Sequence, residues 1–247
     1  MSKPVLHRRA EFEEVLENYE VSEHGQTILD NINLLLLRGP SAGGRNTIIR
    51  ELLKTEKYEF LVSDTTRPKR VNDGIEEQDG VEYWFRGEDK VLADLQAGEF
   101  VEAELIHNQQ VSGLSIREVE KSMKHGKICI HEAHREGVLN VLSVKSDAHA
   151  VFITPPSFEE WVKRLKGRGN MTEDEFKNRF ESAEHDYASA LNNRDKYTFV
   201  INDSYLLSTE HVRRIVETND YPTGVNREAL EVAEEIHDRI VQELAKD

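Results

Sequence analysis

The sequence predicts an α/β domain with a mainly parallel sheet, and three observations carry that reading. Short apolar runs of strand length recur at residues 32–38, 60–63, 128–133, 150–154 and 198–202. Helical periodicity fills the gaps, marked by Ile48, Ile49, Leu52 and Leu53, then Val91, Leu92 and Leu95, then Ile116, Val119 and Met123. A glycine-rich turn at 39–44 joins the most apolar run to the next helical stretch. Strands separated by helices return in the same direction, which builds a parallel sheet with helices on its faces.

Each element has its own warrant. Leu34, Leu35, Leu36 and Leu37 form an unbroken apolar run, the pattern of a strand buried on both faces. Ahead of it, residues 1–31 read as a helical extension, with Phe12, Val15, Leu16 and Tyr19 at helical spacing and one face packed on the body of the protein. Residues 64–80 are polar, with Gly74 and Gly80 marking turns. A charged helical region covers 158–191. The last segment places Leu230, Ala233, Ile236, Ile240, Val241 and Leu244 on one side of an amphipathic helix. The chain thus divides into an extension at 1–31, a main domain at 32–220 and a C-terminal helix at 221–247.

Composition narrows the class of partner. The 247 residues carry 32 basic and 47 acidic side chains, a net charge of −15. That balance argues against a nucleic-acid surface, which needs clustered Lys and Arg. No apolar run approaches the roughly 20 residues of a membrane span, so no membrane partner is expected. Arg8, Arg9, Glu11, Glu13 and Glu14 leave no room for the apolar core of a signal peptide. The single cysteine, Cys129, excludes an internal disulfide framework and fits a reducing cytoplasm. It reads as a buried strand residue, and the protein as cytoplasmic.

The turn Gly39-Pro40-Ser41-Ala42-Gly43-Gly44-Arg45-Asn46-Thr47 has the position and spacing of a phosphate-binding loop. Its glycines let backbone N–H groups curl around phosphate oxygens at a helix N-terminus. The usual pattern ends Gly-Lys-Ser/Thr. Here Arg45 keeps the positive charge as a planar fork, and Asn46 stands where the hydroxyl often ligates magnesium. Asn46 offers an amide oxygen and Thr47 a hydroxyl one position later. The alternative is a glycine-rich turn with no ligand; its place between strand and helix favours phosphate.

Three further segments identify a resemblance. Ser63-Asp64-Thr65-Thr66-Arg67-Pro68-Lys69-Arg70, with Tyr83-Trp84-Phe85 downstream, resembles the guanylate kinase segment Ser-x-Thr-Thr-Arg-x-x-Arg and its later tyrosine. Gly98-Glu99-Phe100-Val101-Glu102 is similar to that family's Phe-Ile/Leu-Glu element. Pro155-Pro156-Ser157, followed by Arg164, Arg168, Thr172-Glu173 and Arg179, resembles its lid. Val200-Ile201-Asn202-Asp203 resembles a late strand end of these kinases. The resemblance covers roughly residues 32–205.

The resemblance implies a P-loop NTPase-type parallel sheet flanked by helices, a monophosphate-binding arm at 61–115 and a helical lid at 158–192. It implies transfer of the ATP γ-phosphoryl group to GMP, with Mg2+ accompanying ATP. Arg67, Arg70 and Tyr83 would grip the acceptor phosphate, since a guanidinium holds two oxygens and a phenol adds a donor. Ser63 and Glu102 would read the guanine edge. Arg45, Arg164, Arg168 and Arg179 would surround the transferring group, where positioned cations are the main catalytic device. ATP would lie on residues 39–47, with Asn202 nearby.

Three departures bear on the acceptor. Residues 130–134 occupy the place of the family's Asp-x-Asp, and alternation along a strand would point Glu132 and His134 to one side. Glu132 keeps a carboxylate that, with Asn46 and Thr47, could hold magnesium, whereas His134 replaces one that assists guanine recognition. Ser112-Gly113-Leu114 stands in for Tyr-Gly-Thr/Ser, leaving Ser112 as the remaining hydroxyl. Two alternatives stay open: a binding module of this family without catalysis, and a kinase for a different phosphorylated acceptor.

Overall fold

The computed structural model describes residues 6–72, 74–106, 108–167 and 171–246. In chain order, the first elements are α1 (Arg9–Glu17), α2 (Glu23–Leu29), β1 (Asn33–Arg38), α3 (Arg45–Leu53) and β2 (Tyr58–Phe60). Next come β3 (Asp64–Thr65), β4 (Val71–Asn72), β5 (Ile75–Glu76), β6 (Trp84–Phe85) and α4 (Glu88–Gln96). The chain continues through β7 (Phe100–Ile106), β8 (Gln110–Ser115), α5 (Ile116–Met123), β9 (Ile128–His131) and α6 (Arg135–Val144). The chain ends with β10 (His149–Thr154), α7 (Phe158–Lys166), α8 (Glu173–Asn192), β11 (Thr198–Ile201), α9 (Tyr205–Thr218) and α10 (Thr223–Leu244).

The chain separates into two compact units, one of residues 1–34 and 59–148 and one of residues 35–58 and 149–247. The second holds parallel strands in the order β11, β10, β1, with Leu36 opposite Ala150 and Phe152 opposite Phe199. All four residues Leu34 to Leu37 are fully buried, as an uninterrupted leucine run requires of a strand covered on both sides. Helix α10 packs on β11, α7 and α8 through Ala229, Ala233, Ile236 and Ile240, while α9 packs on α3 and β11. Phe152, Tyr187, Tyr197 and Phe199 form an aromatic cluster at the strand surface.

The first unit is built around the four-stranded sheet β6-β3-β8-β7, in which β8 runs antiparallel to both β3 and β7. The N-terminal extension closes its core. Phe12 is fully buried among Val91, Leu92, Leu95, Phe100 and Val111, with Val15, Leu16 and Tyr19 around it. The expected packing face of the extension is therefore observed, although the helix ends at Glu17 and Tyr19 acts beyond it. The Tyr19 hydroxyl donates to the Phe100 carbonyl and accepts from the Phe100 amide, both at 2.7 Å.

Two strand boundaries differ from expectation. The run at 60–63 pairs as Tyr58–Phe60, two residues earlier, and just beyond it the Leu61 amide still donates to the Ile130 carbonyl at 2.8 Å. The strand expected at 128–133 stops at His131. His134 is already the N-cap of α6, so the chain leaves the ladder to start a helix that packs on β7. Strand alternation consequently does not govern Glu132 and His134.

Candidate active site

In the second unit, the phosphate loop leaves β1 at Arg38 and enters α3 at Arg45, with Gly44 as N-cap. Its glycines are required by space as well as by backbone freedom. Gly39 has φ +149°, and a Cβ there would sit 2.2 Å from the Ile153 carbonyl oxygen. Gly44 has φ +102°, and a Cβ there would sit 1.8 Å from Asn202 Nδ2. The next strands therefore press directly on the loop backbone.

Asn202, expected near ATP, is 5% exposed and braces the loop from below. Its side-chain amide donates to the Gly43 carbonyl at 2.8 Å, and its backbone amide to Thr154 at 2.7 Å. Trp161 of α7 donates through Nε1 to the Ser41 carbonyl at 2.8 Å. The loop is held in shape by partners that leave the α3 N-terminus open, the condition for an anion cradle. Ala42, Gly44, Thr47, Arg164, Asn202 and Tyr205 line a cavity of about 310 Å3 there.

Of the expected catalytic arginines, one meets this loop and another meets the Asn202 that braces it. Arg164 on α7 donates from Nη1 to the Asn202 carbonyl at 2.9 Å and from Nε to Glu160 at 3.0 Å. Arg179 on α8 donates from Nη1 to the Ser41 hydroxyl at 3.1 Å. The third, Arg168, lies outside the described residues. Arg45 opens α3, half-buried, and Asn46 beside it is exposed. The Thr47 hydroxyl accepts from Arg50 at 3.3 Å. A capping box starts α8, with Thr172 Oγ1 accepting from the Glu175 amide at 3.2 Å and Glu175 accepting from the Thr172 amide at 3.0 Å.

The first unit gathers the residues expected to bind the monophosphate. Arg67, 5% exposed, forms a bidentate pair with Glu77, at 2.5 Å from Nη1 and 2.8 Å from Nη2. The guanidinium lies 4.8 Å from the Tyr83 ring centre and 5.3 Å from that of Phe85. Hydrogen bonding from Arg67 and from the Arg70 amide holds the Glu77 carboxyl below the usual carboxylate range, against the effect of burial. Arg70 is exposed and Tyr83 half-buried. So of the three groups expected to grip phosphate, Arg70 is exposed, Tyr83 is half-buried against the Arg67 guanidinium and Arg67 is engaged by Glu77.

Around the base-reading positions, Ser63 is half-buried and its carbonyl accepts from the Trp84 amide at 2.9 Å. Trp84 is half-buried, donating from Nε1 to Glu118 at 3.1 Å under the Arg117 and Lys121 cations. Ser112 is buried, its hydroxyl 2.7 Å from that of Thr65 and 3.1 Å from Gln110 Nε2. A bulge between Phe100 and Glu102 interrupts the β7–β8 register and re-aims the strand at Glu102. Glu102 is 5% exposed, and Oε1 lies 3.1 Å from His131 Nε2. Glu132 is half-buried and His134 exposed. Burial pushes the Cys129 thiol up to about 12, so it is inert as a nucleophile.

Sequence reasoning missed Trp161, Glu77 and His131. Each makes a hydrogen bond to an expected site residue, Trp161 to Ser41, Glu77 to Arg67 and His131 to Glu102, and a partner chosen through space leaves no spacing to read. Among the described residues, no group of three or more His, Cys, Asp or Glu is arranged to hold a metal, and no helix is long and apolar enough to cross a membrane.

The guanylate kinase family model matches residues 31–219. Guanylate kinase of Streptococcus agalactiae is 34% identical over 191 residues, which cover 76% of this chain and 87% of that protein. Guanylate kinase 1 of Oryza sativa subsp. japonica is 33% identical over 190 residues, covering 75% of this chain, and the chain spans about half of the rice protein, 48%. In fold, the chain is similar to the crystal structure of guanylate kinase from Anaplasma phagocytophilum, with a TM-score of 0.53 at 21% identity over 90% of this chain and 99% of that one. The chain belongs to the guanylate kinase family.

Proposed function

We propose that this chain catalyses the guanylate kinase reaction, ATP + GMP giving ADP + GDP, with ATP on the loop at 39–47 and GMP on the arm. The observation that carries the reading is the meeting of Arg179 with Ser41 of the loop and of Arg164 with Asn202, the residue that braces the loop, from two separate helices. Backbone N–H groups at the α3 N-terminus would hold the ATP phosphates. The arginines would then match charge that spreads over the transferring oxygens. Arg45 supplies a permanent charge at the start of α3, and Arg168 completes the expected set. Closure of α7 and α8 over the loop would exclude water and limit hydrolysis.

On the arm, Arg70 and Tyr83 supply the first donors for the GMP phosphate, and Arg67 supplies a buried positive charge beneath them. Ser63, Ser112 and Glu102 would read the base, with Glu132 and His134 at the strand end beside them. A carboxylate facing the guanine ring N–H and exocyclic amine accepts two hydrogen bonds that adenine cannot return.

Thr47 fits a magnesium site in one respect: its hydroxyl lines the cavity, and Arg50 uses only one of its two lone pairs. Mg2+ takes most of its shell from phosphate oxygens and water, so one or two such protein oxygens suffice. Thr47, with Asn46, would hold the ion, and the ion would neutralise phosphate charge. A reducing cytoplasm suits the single buried thiol.

The reading is tested by GMP binding to Arg70→Ala and Tyr83→Phe, followed calorimetrically with ATP binding measured in parallel. GMP affinity is expected to fall at least about tenfold in Arg70→Ala, with ATP affinity unchanged. Unchanged GMP affinity in both variants would remove the acceptor site from the arm.

A further inference from the structure

We infer that His131 is a positioning residue for base recognition, fixing the Glu102 carboxylate in the orientation that reads guanine. The inference rests on Glu102 being the base reader proposed above. His131 ends β9 with 1% of its surface exposed, and its Nε2 lies 3.1 Å from Glu102 Oε1. A carboxylate only accepts, so the proton of this bond sits on Nε2. Nδ1, by contrast, has no hydrogen-bond partner among the described residues.

That arrangement is a poor one for folding alone. A buried imidazole with one unsatisfied nitrogen carries a desolvation penalty that an apolar side chain would avoid. Its return is the control of Glu102. Gly137 of α6 closes the other side: a Cβ there would lie 2.8 Å from Glu102 Oε2. The carboxylate is thus confined between an imidazole N–H at one oxygen and a side-chain-free helix turn at the other. The bulge before Glu102 sets the direction of the side chain, His131 sets its rotation, and Gly137 keeps the second oxygen clear.

An N–H donor on Oε1 leaves that oxygen a further lone pair, and Oε2 keeps both of its own. The carboxylate can therefore still face two donors of a base at once. Without His131, the carboxylate is free to rotate, and the penalty falls on substrates that need both oxygens aligned. Guanine, with a ring N–H and an exocyclic amine, needs both. Hypoxanthine, which lacks the amine, needs one. His131 accordingly favours GMP over IMP and acts on acceptor affinity, with little effect on turnover at saturation.

The test compares His131→Gln with His131→Met, side chains of similar length of which only glutamine carries a donor near the Nε2 position. Steady-state kinetics with ATP and either GMP or IMP are measured for both, with Glu102→Gln as reference. His131→Met is expected to raise the KM for GMP at least fivefold, leave kcat within twofold and narrow the GMP-to-IMP preference, and His131→Gln to restore most of the affinity. Equal behaviour of the Gln and Met variants, beside a Glu102→Gln that loses GMP, overturns the role of His131 alone. A Glu102→Gln that keeps GMP affinity overturns the base-reading role of Glu102 and with it this inference. If His131→Met does not fold, 15N NMR of the wild-type imidazole decides. The inference expects a proton on Nε2 with GMP bound, and an Nε2 without a proton overturns it.

Discussion

Arg67 and Glu77 form an ion pair with side chains only 5% and 9% exposed, so each is the condition for the other's burial. Removing the acid leaves an uncompensated cation, and Glu77→Ala is expected to destabilise the fold by on the order of 3 kcal/mol, read from urea unfolding. The pair also sets a pH dependence. The folded-state Glu77 carboxyl lies below its ordinary value, so its contribution is complete above the usual carboxylate range and is lost as pH falls through the lowered value. Unfolding midpoints in acid should show this loss in the wild type and less of it in Glu77→Gln; parallel acid limbs would contradict the pairing. Arg67, Arg70 and Tyr83 were legible because their mutual spacing forms a pattern. Glu77 was not, since in a stretch that also holds Glu76, Asp79 and Glu82 every acid reads as a solvated charge.

Among the elements, the phosphate loop was the easiest to find, because a leucine strand, a glycine turn and a helix follow one another directly. Its dependence on Asn202, some 160 residues later, has no local signal. Gly44→Ala puts a methyl into the Asn202 amide at a left-handed backbone position. ATP affinity is expected to drop at least about tenfold, by calorimetry, while GMP binding persists; a normal ATP affinity would show that the loop does not hold the donor. At α8, loss of the capping hydroxyl in Thr172→Ala should cost about 1 kcal/mol, seen as a lower urea midpoint. Strands β7 and β8 were hard to read because buried polar residues, Glu102, Gln110 and Ser112, break their apolar pattern. The end of β9 was misjudged for a different reason: residues 132 and 133 look like strand but lead into the cap of α6.

For the whole molecule, each compact unit would carry one half of the proposed chemistry. Residues 35–58 and 149–247 hold the loop at 39–47 with α7 and α8, and residues 1–34 and 59–148 hold the residues expected to bind the monophosphate. Each also includes helices outside the matched family region, α1 and α2 in one and α10 in the other. These are structural in the first instance. Ile236 of α10 is 1% exposed, and Ile236→Ala is expected to lose about 3 kcal/mol and lower the melting temperature by roughly 10 °C. A shift under a few degrees would mean that α10 is dispensable to its unit. Both terminal helices were legible from apolar spacing, whereas the faces they cover follow only from the three-dimensional packing.

The decisive measurement is coupled ADP release by the purified protein with ATP and magnesium, across GMP, dGMP, AMP, UMP and CMP. The account predicts turnover that depends on a guanine monophosphate and is lost in Arg164→Ala, with nucleotide binding retained. Binding of both nucleotides without turnover for any acceptor would contradict it and leave a binding module on a kinase fold.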